Sequence, residues 1–418
     1  MMANHTYVKK VYNMVAALLM GIAATCLFSA CSGDDDPAGG KGDKSKPDFA
    51  LADSRTVMVY IAVDNSLMDH GMSDFKEMVR GFNRYDYGEN NRVVVFVDNG
   101  AFARIYALDA SSRGKGYAEL TPVKTYVSDV NSASAEVFGE FVDYAMAHYP
   151  AKSYGLVMGS HGFGWIPSNV RQDPRTRAFG QDCTTGGSRI GMGTDEIADV
   201  LADKGNIDFV FFDACYMQTI EVACDLMGVT KHIVASPAEV PDLGADYWAT
   251  LPEMFRKEGY AEGICNSYNN TYLYDSQGGV VISDIITEAL PRYVQYMSGV
   301  LSGKREVLDW VDVDELFSYH VFAEGSPSIY PDMPDMKSVM KHLLDEEGYA
   351  KWCEETDKVV KCWHGSTWYD GCRKTTPVDA NQCSGVSMFV PRSMYEQKKL
   401  YFNYYFNQTR WAKTLWGE

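Results

Sequence analysis

Short apolar runs rich in β-branched residues recur along this chain, and each run stops at a polar or small residue. Segments with the spacing of amphipathic helices separate them. Strands that are apolar throughout and alternate with helices are typical of a parallel sheet covered by helices on both faces. We therefore expect an α/β fold with a mostly parallel sheet. The expected strands are residues 55–63, 92–97, 153–158, 207–212 and 232–236, and the expected helices are residues 67–82, 133–148, 194–202 and 217–227.

The other segments follow different patterns. Residues 101–126 predict short antiparallel strands joined by turns, and residues 163–193, rich in Gly, Arg and Asp, predict a long loop. From about residue 250 onward the pattern is mixed, so we assign a C-terminal extension to residues 250–418. Within it we expect helices near 258–271 and 286–301 and strands at 279–283 and 385–390.

Residues 1–30 resemble a bacterial lipoprotein signal peptide. A charged start precedes an apolar run that is too short for an ordinary membrane span. The run closes with Phe28-Ser29-Ala30-Cys31, which resembles a lipobox in which Cys31 receives the lipid. Three aspartates, residues 34–36, follow as in the surface-export signal of Bacteroidetes lipoproteins. We expect an outer-membrane lipoprotein exposed on the cell surface, with a periplasmic or secreted protein as the alternative.

The segment behind Cys31 is polar. Residues 31–52 contain Gly, Pro, Asp, Lys and Ser with little apolar content, which predicts a flexible tether. The folded domain is then expected over residues 53–418.

Acidic residues outnumber basic residues by 56 to 38, which gives a formal net charge of −18. This balance argues against a general nucleic-acid binder and is compatible with a basic substrate.

The ten cysteines include no CxxC pair, which argues against a zinc ribbon or a thioredoxin motif. We expect no metal or other cofactor; no EF-hand pattern is present, and a calcium requirement stays open. Four cysteines near the C-terminus could pair in an oxidising compartment, and the sequence leaves their connectivity open: Cys353, Cys362, Cys372 and Cys383.

Two expected strands end next to residues that can carry covalent catalysis. His161 follows the third strand and Cys215 follows the fourth. Ligand sites in open parallel sheets form beyond the carboxyl ends of the strands, so neighbouring strands would bring both side chains to one cleft. A thiolate is favoured by a nearby imidazolium or a helix N-terminus, and a helix is expected directly after Cys215. The N–H groups of Gly162 and Cys215 are candidates for holding an oxyanion.

Each of these residues also has an ordinary structural interpretation. A cysteine after an apolar strand is often a small buried hydrophobe, and a single histidine is often structural. Other candidates are weaker by position, because His232 begins a strand, Cys224 lies inside a helix, and His364 follows no apolar strand. No GxSxG elbow, P-loop or HExxH motif is present.

The motifs around these residues resemble the clostripain family of cysteine peptidases, relatives of the caspases, legumains and gingipains. The resemblance implies a caspase-like fold and a catalytic dyad of His161 and Cys215. It also implies that Asp213 contacts a basic side chain at P1, the substrate residue before the scissile bond; a cap for the following helix is the alternative. The matching segments keep the family's order over residues 55–415 and are Tyr60–Leu67, Gly159–Trp165, Phe211–Met217, Ala235–Glu239 and Gly385–Pro391.

One segment departs from the family pattern. Many relatives carry Ser-Glu-Glu-Thr-Glu-Pro-Gly after the fifth strand, where this chain has Ser236-Pro-Ala-Glu-Val-Pro-Asp242. Asp242 therefore remains a candidate acid of the substrate pocket, together with Glu239 and Asp246. The choice between Arg and Lys at P1 stays open.

The resemblance implies a lipid-anchored cysteine endopeptidase that cleaves proteins or peptides after Arg or Lys. Relatives are often zymogens that cut themselves between the histidine and the cysteine, and exposed polar loops are preferred sites of nicking. Arg175 and Arg177, in the loop 163–193, are the candidate self-cleavage sites. The alternatives are a surface binding protein without turnover and a peptidase that prefers small or acidic P1 residues. We expect a monomer that contacts the membrane through its N-terminal lipid and binds no nucleic acid.

Overall fold

The structure, a computed structural model, describes residues 45–166, 178–183, 191–273, 279–312, 315–319, 333–365, 367–370, 374–379, 381–392 and 399–417. Its strands are β1 (Arg55–Ala62), β2 (Asn91–Asp98), β3 (Ala103–Leu108), β4 (Lys124–Thr125), β5 (Ser153–Gly159), β6 (Ile207–Asp213), β7 (His232–Ala235), β8 (Val281–Ile286), β9 (Val360–Gly365), β10 (Thr367–Asp370) and β11 (Lys374–Pro377).

The α-helices in the same ranges are α1 (Met68–Phe82), α2 (Ala135–His148), α3 (Thr194–Leu201), α4 (Ile220–Asp225), α5 (Tyr247–Glu253), α6 (Tyr260–Tyr272), α7 (Leu290–Leu301), α8 (Arg305–Asp309), α9 (Met336–Leu343), α10 (Glu346–Thr356), α11 (Lys399–Gln408) and α12 (Arg410–Trp416).

Nine of the described strands form one mixed sheet in the order β4-β3-β2-β1-β5-β6-β7-β8-β9. The five central strands, from β2 to β7, run parallel to one another. At one edge β3 and β4 are antiparallel to their neighbours, and at the other edge β8 and β9 are antiparallel. The expected α/β class with a parallel centre is confirmed, and so are the antiparallel strands expected within residues 101–126.

The central strands are buried on both faces, as their continuous apolar runs predict. Along β1, Tyr60 belongs to one apolar cluster, whereas the next residue, Ile61, belongs to the cluster on the opposite face. Helices α1, α5 and α6 cover the Ile61 side. Helices α2, α3, α4 and α7 cover the Tyr60 side.

The strand expected at residues 385–390 is wrong. The run packs between the starts of α4 and α9 instead, where Ser387 N–H donates to the Gln218 carbonyl (3.1 Å) and Met388 N–H donates to the Pro334 carbonyl (3.0 Å). Gly385 has a φ of +77°, and its N–H donates to the Asp335 carboxylate at 3.1 Å. A left-handed residue with its amide held by a side chain interrupts a ladder, so the apolar run is buried without joining a strand.

In the ranges that the structure describes, no helix combines the length and the apolar character needed to cross a membrane.

Candidate functional site

His161 and Cys215 follow two strands that are neighbours in the sheet. Strand β5 ends at Gly159 and β6 ends at Asp213, and these two residues are register partners in the parallel ladder. Each candidate residue therefore lies two positions beyond the same edge of the sheet, and both line one cleft. The expectation that the strand ends bring them to a common cleft holds.

The two loops touch at Gly162. A Cβ atom at this position would lie 2.6 Å from the Cys215 carbonyl oxygen and 2.9 Å from Ala214 Cβ. Only glycine permits this approach, because real Cβ atoms do not come so close to backbone atoms. Within the described residues, the backbone N–H groups of Gly162 and Cys215 have no hydrogen-bond acceptor. Both are therefore free to donate to a bound carbonyl oxygen.

The turn behind Cys215 is left-handed and not helical. Tyr216 has a φ of +60°, an uncommon value for a non-glycine residue, and its N–H donates to the Ala238 carbonyl at 2.9 Å. Helix α4 begins only at Ile220, where Thr219 Oγ1 accepts the Val222 N–H. The helix expected from Met217 is therefore wrong at its start. Its N-terminus does not lie directly behind Cys215 and does not favour the thiolate there, because the helix dipole falls off within the first turn.

The Cys215 thiol is held by the segment after β7. Val240 N–H donates to Sγ at 3.3 Å, and Sγ donates to the Val240 carbonyl at 3.8 Å. Burial raises the pKa of this thiol to about 12, with Glu239 and Asp213 adding to the shift and the Val240 N–H opposing it. At pH 7 a shift in this direction favours the thiol over the thiolate.

A serine that the sequence analysis did not single out lies against His161. Ser66 Oγ is 3.0 Å from His161 Nε2. Helix α1 starts at Met68, and Asn65 Oδ1, not Ser66, accepts the Leu67 N–H at 2.9 Å. The signal available in the sequence was position, because Ser66 follows β1, which pairs with β5 at the same edge of the sheet.

Asp213 is buried beside the dyad candidates and is fully held by the protein. Its Oδ2 accepts the Ala245 N–H at 3.0 Å and the Tyr247 hydroxyl at 2.9 Å, and its Oδ1 accepts the Tyr268 hydroxyl at 2.9 Å. Burial raises the pKa of this carboxyl, and these three hydrogen bonds act in the opposite direction. The carboxylate caps no helix, so the alternative role given to it above is wrong.

The three candidate acidic residues that follow β7 lie in different environments in the structure. Asp242 is exposed and lines the cleft, at its solvent side. Glu239 is near enough to Cys215 to influence its titration. Asp246 accepts the N–H groups of Trp248 and Ala249 as the N-cap of α5 and is not among the residues that line the cleft.

A further acid, Asp74, was missed by the sequence reasoning. It is half-buried on α1 and lines the same cleft as His161 and Cys215. Burial raises the pKa of Asp74 to about 9, and the charges of Asp213 and Glu77 add to the shift. A signal was present, since His70 and Asp74 are spaced four apart on the helix that follows the first strand and both line the cleft.

The weaker candidates lie elsewhere. Cys224 is buried inside α4, His232 bonds the Asp284 carboxylate, and His364 lies 2.6 Å from Asn266 Oδ1. Among the described residues, no group of three or more His, Cys, Asp or Glu side chains is placed to hold a metal ion. Four further elements of the sequence hypothesis lie outside the described residues: Cys31, the aspartates 34–36, Arg175 and Arg177.

Solved structures similar to this fold are C11 proteases. An inactive zymogen C11 protease from Parabacteroides distasonis superposes with a TM-score of 0.72 at 26% identity, over 88% of this chain and 99% of that one. A secreted C11 cysteine protease from Bacteroides thetaiotaomicron, in complex with an irreversible peptide inhibitor, has a TM-score of 0.70 at 28% identity, over 87% of this chain and 98% of that one.

A curated relative is clostripain from Hathewaya histolytica, which is 29% identical over 189 residues. The match covers 40% of this chain and spans only 35% of the relative's own length. The model of the clostripain family matches a longer stretch, residues 59–418, which includes both strand ends of the cleft. The chain belongs to the clostripain family, as its sequence motifs predict.

Proposed function

We propose that this protein is a cysteine endopeptidase in which Cys215 is the nucleophile and His161 is the general base and acid. The observation that carries the proposal is the shared cleft beyond β5 and β6, with both side chains lining it and the two loops in contact at Gly162. The similarity to two C11 protease structures supports the same chemistry.

The proposed reaction passes through a thioester. His161 takes the proton of the Cys215 thiol, and the thiolate attacks the peptide carbonyl carbon. The N–H groups of Gly162 and Cys215 donate to the oxyanion that forms. His161 then gives the proton to the leaving amine, and a water molecule, activated by the same imidazole, hydrolyses the thioester.

The cleft favours a positively charged P1 side chain. Three carboxyl groups line it, from Asp74, Asp213 and Asp242, and no lysine or arginine lies among its described lining residues. A cation that enters is attracted by each of these groups that is ionised, and it shifts the titration of Asp74 and Asp213 towards the ionised form. Arg or Lys at P1 therefore matches this cleft better than a small or acidic residue.

Self-cleavage between His161 and Cys215 belongs to the same proposal. The half-buried Cys215 thiol, held by Val240 and with a raised pKa, is assigned to a resting form that a cut at Arg175 or Arg177 would release. The related Parabacteroides distasonis structure is described as an inactive zymogen, which supports such a resting form in this chain.

The proposed location is the outer face of the outer membrane, with the lipid on Cys31. The signal-like residues 1–30 and the aspartates 34–36 support it. The related Bacteroides thetaiotaomicron protease is described as secreted, which agrees with export of this chain.

The test uses protein that begins after residue 31 and peptides with a fluorogenic group after Arg or Lys. We expect cleavage of these peptides and none of matched peptides with Glu at P1. Cys215→Ala abolishes turnover, and His161→Ala lowers kcat by several orders of magnitude, because nucleophile and base act as a unit. Cys224→Ala, the same substitution within α4, keeps kcat. Full activity in Cys215→Ala contradicts the peptidase proposal.

A further inference from the structure

The Asp213 carboxylate has little hydrogen-bonding capacity left for a ligand. A carboxylate offers about four acceptor positions, and the Ala245 N–H and the hydroxyls of Tyr247 and Tyr268 occupy three of them. A Cβ atom on Gly244 would lie 2.6 Å from Asp213 Oδ2, so backbone also packs against this oxygen. Asp213 supplies negative charge to the cleft, but it cannot receive a guanidinium with both oxygens.

Asp74 is in the opposite situation. It lines the cleft, it is half-buried, and within the described part of the chain no group donates a hydrogen bond to its carboxylate. Both of its oxygens are therefore available to a cation that enters from the Cys215 side.

The packing of α1 places Asp74 there. Gly71 lies one turn before Asp74, and a Cβ on Gly71 would be 2.8 Å from Val63 Cγ1 and 2.9 Å from Ile61 Cγ2. The helix thus lies directly against the carboxyl end of β1. The same face of α1 then presents His70 and Asp74 to the cleft, since residues four apart share a helix face.

We propose that Asp74 is the specificity residue that directly binds the guanidinium or ammonium group of the P1 side chain, with the tyrosine-held Asp213 as a fixed second charge beside it. This rests on the proposed peptidase function and deepens it. It adds a contact from the first helix of the fold to a cleft otherwise lined by residues at the ends of β1, β5, β6 and β7.

The electrostatics of Asp74 and Asp213 agree with a cation site. Two carboxyl groups in one partly buried cleft repel each other, and burial together with Asp213 and Glu77 raises the pKa of Asp74 to about 9. A bound cation offsets this repulsion and favours the carboxylate form of Asp74. The other titratable groups facing the pair are His70 on α1, the hydroxyls of Tyr247 and Tyr268, and, across the cleft, His161, Cys215 and Asp242.

The experiment compares Arg with citrulline at P1, because citrulline has nearly the shape of arginine without its charge. For each variant the ratio of kcat/KM for the Arg peptide to kcat/KM for the citrulline peptide is measured. The folded fraction and the dyad chemistry cancel in this ratio. We expect Asp74→Asn to lower the ratio by about 10- to 100-fold, the loss typical of a hydrogen bond to a charged group. The control is Asp69→Asn, which removes the same charge from an exposed position of α1 outside the cleft and keeps the ratio within about threefold.

A second measurement follows the same ratio as a function of pH. In the wild-type protein the Arg/citrulline ratio should rise from pH 7 to pH 9, because the carboxylate form of Asp74 increases as the pH approaches its pKa of about 9. In Asp74→Asn this rise should be lost.

The outcomes separate the two proposals. A wild-type protein that cleaves after Arg, with an unchanged ratio in Asp74→Asn, overturns the role of Asp74 and leaves the peptidase proposal intact. A flat wild-type ratio between pH 7 and 9 also counts against Asp74. A wild-type protein that cleaves neither peptide, or prefers citrulline, overturns the basic P1 preference itself.

Discussion

A Cβ atom added to Gly162 would lie 2.6 Å from the carbonyl oxygen of Cys215. This contact joins the loop that carries the histidine to the turn that carries the thiol. It also fixes the relative position of the two N–H groups proposed to hold the oxyanion. The separation of the two loops is thus set by the absence of a single methyl group.

We predict that Gly162→Ala lowers kcat by at least about tenfold, because the added methyl must push the Cys215 turn away from His161. Removing one oxyanion donor typically lowers kcat by about 100- to 1,000-fold, which sets the upper end of the expected effect. The control is Gly139→Ala on α2, where the new Cβ meets Val200 at an ordinary 3.7 Å. Steady-state kinetics on an Arg peptide give the comparison. Equal kcat for Gly162→Ala and wild type would show that the close approach has no role in catalysis.

The Cys215 thiol should react slowly before activation. Its pKa is raised to about 12, so the reactive thiolate form grows about tenfold for each pH unit between 7 and 10. Iodoacetamide labelling of the uncleaved Arg175→Ala/Arg177→Ala protein, read by peptide mass spectrometry, should show this slope at Cys215. The exposed Cys183 reports reagent access in the same sample.

In the cleaved wild-type protein, labelling of Cys215 at pH 7 should be at least about 100-fold faster, since release of the Val240 segment exposes the thiol. The same labelling rate in both forms would contradict a resting state held by Val240.

Self-cleavage should leave two chains that stay together. A cut within residues 163–193 separates β5 from β6, which pair along the centre of the sheet, so the fragments remain associated until denatured. We predict a new N-terminus at Thr176 or Ala178. Thr176 is favoured, because Ala178 is buried and its carbonyl accepts the Phe163 N–H at 2.9 Å.

Denaturing electrophoresis and N-terminal sequencing give the result. Cys215→Ala should remain one chain unless active enzyme is added, and Arg175→Ala/Arg177→Ala should remain uncut. A single intact chain from fully active wild-type protein would refute self-processing and leave the peptidase proposal standing.

The proposed membrane anchor places the lipid on Cys31. We predict that the mature protein carries lipid on Cys31, and that Cys31→Ala releases it or blocks its maturation. Cys26→Ala is the matched control, because that cysteine lies within the proposed signal peptide and should be removed with it. Mass spectrometry of the membrane fraction identifies the modification, and an unmodified Cys31 there rules out the anchor.

The proposed surface display is attributed to the acidic residues behind Cys31. Replacing Asp34, Asp35 and Asp36 with Ala should keep the lipid and lower the accessibility of the protein to protease added to whole cells. Unchanged accessibility would assign the export signal to another segment.

The predicted and observed folds agree for segments whose own apolar pattern determines their secondary structure. The strands and helices of the parallel centre follow from apolar periodicity, because each of them is buried over its whole length or along one face. The errors have a common cause, which is that a residue far away in the sequence decides the local backbone conformation. The run at 385–390 has the composition of a strand, yet Asp335, fifty residues earlier, takes the Gly385 N–H. The start of α4 was misplaced because the left-handed Tyr216 depends on the distant Ala238 carbonyl.

The candidate site likewise contains some residues that local sequence predicted and others that only the folded chain revealed. Local sequence was sufficient to place His161 and Cys215 at the edge of the sheet. Each of them closely follows an apolar run that forms a strand, and residues that follow a strand lie beyond its carboxyl end. The folded chain was needed to show Ser66 against His161, Val240 on the thiol, and Asp74 beside Asp213. These partners lie 25 to 139 residues apart in the sequence, and periodicity carries no information about which distant segments meet. Their contacts arise from the packing of α1 on β1 and of the β7 loop over β6, which depends on side-chain shapes such as the missing Cβ atoms of Gly71 and Gly162.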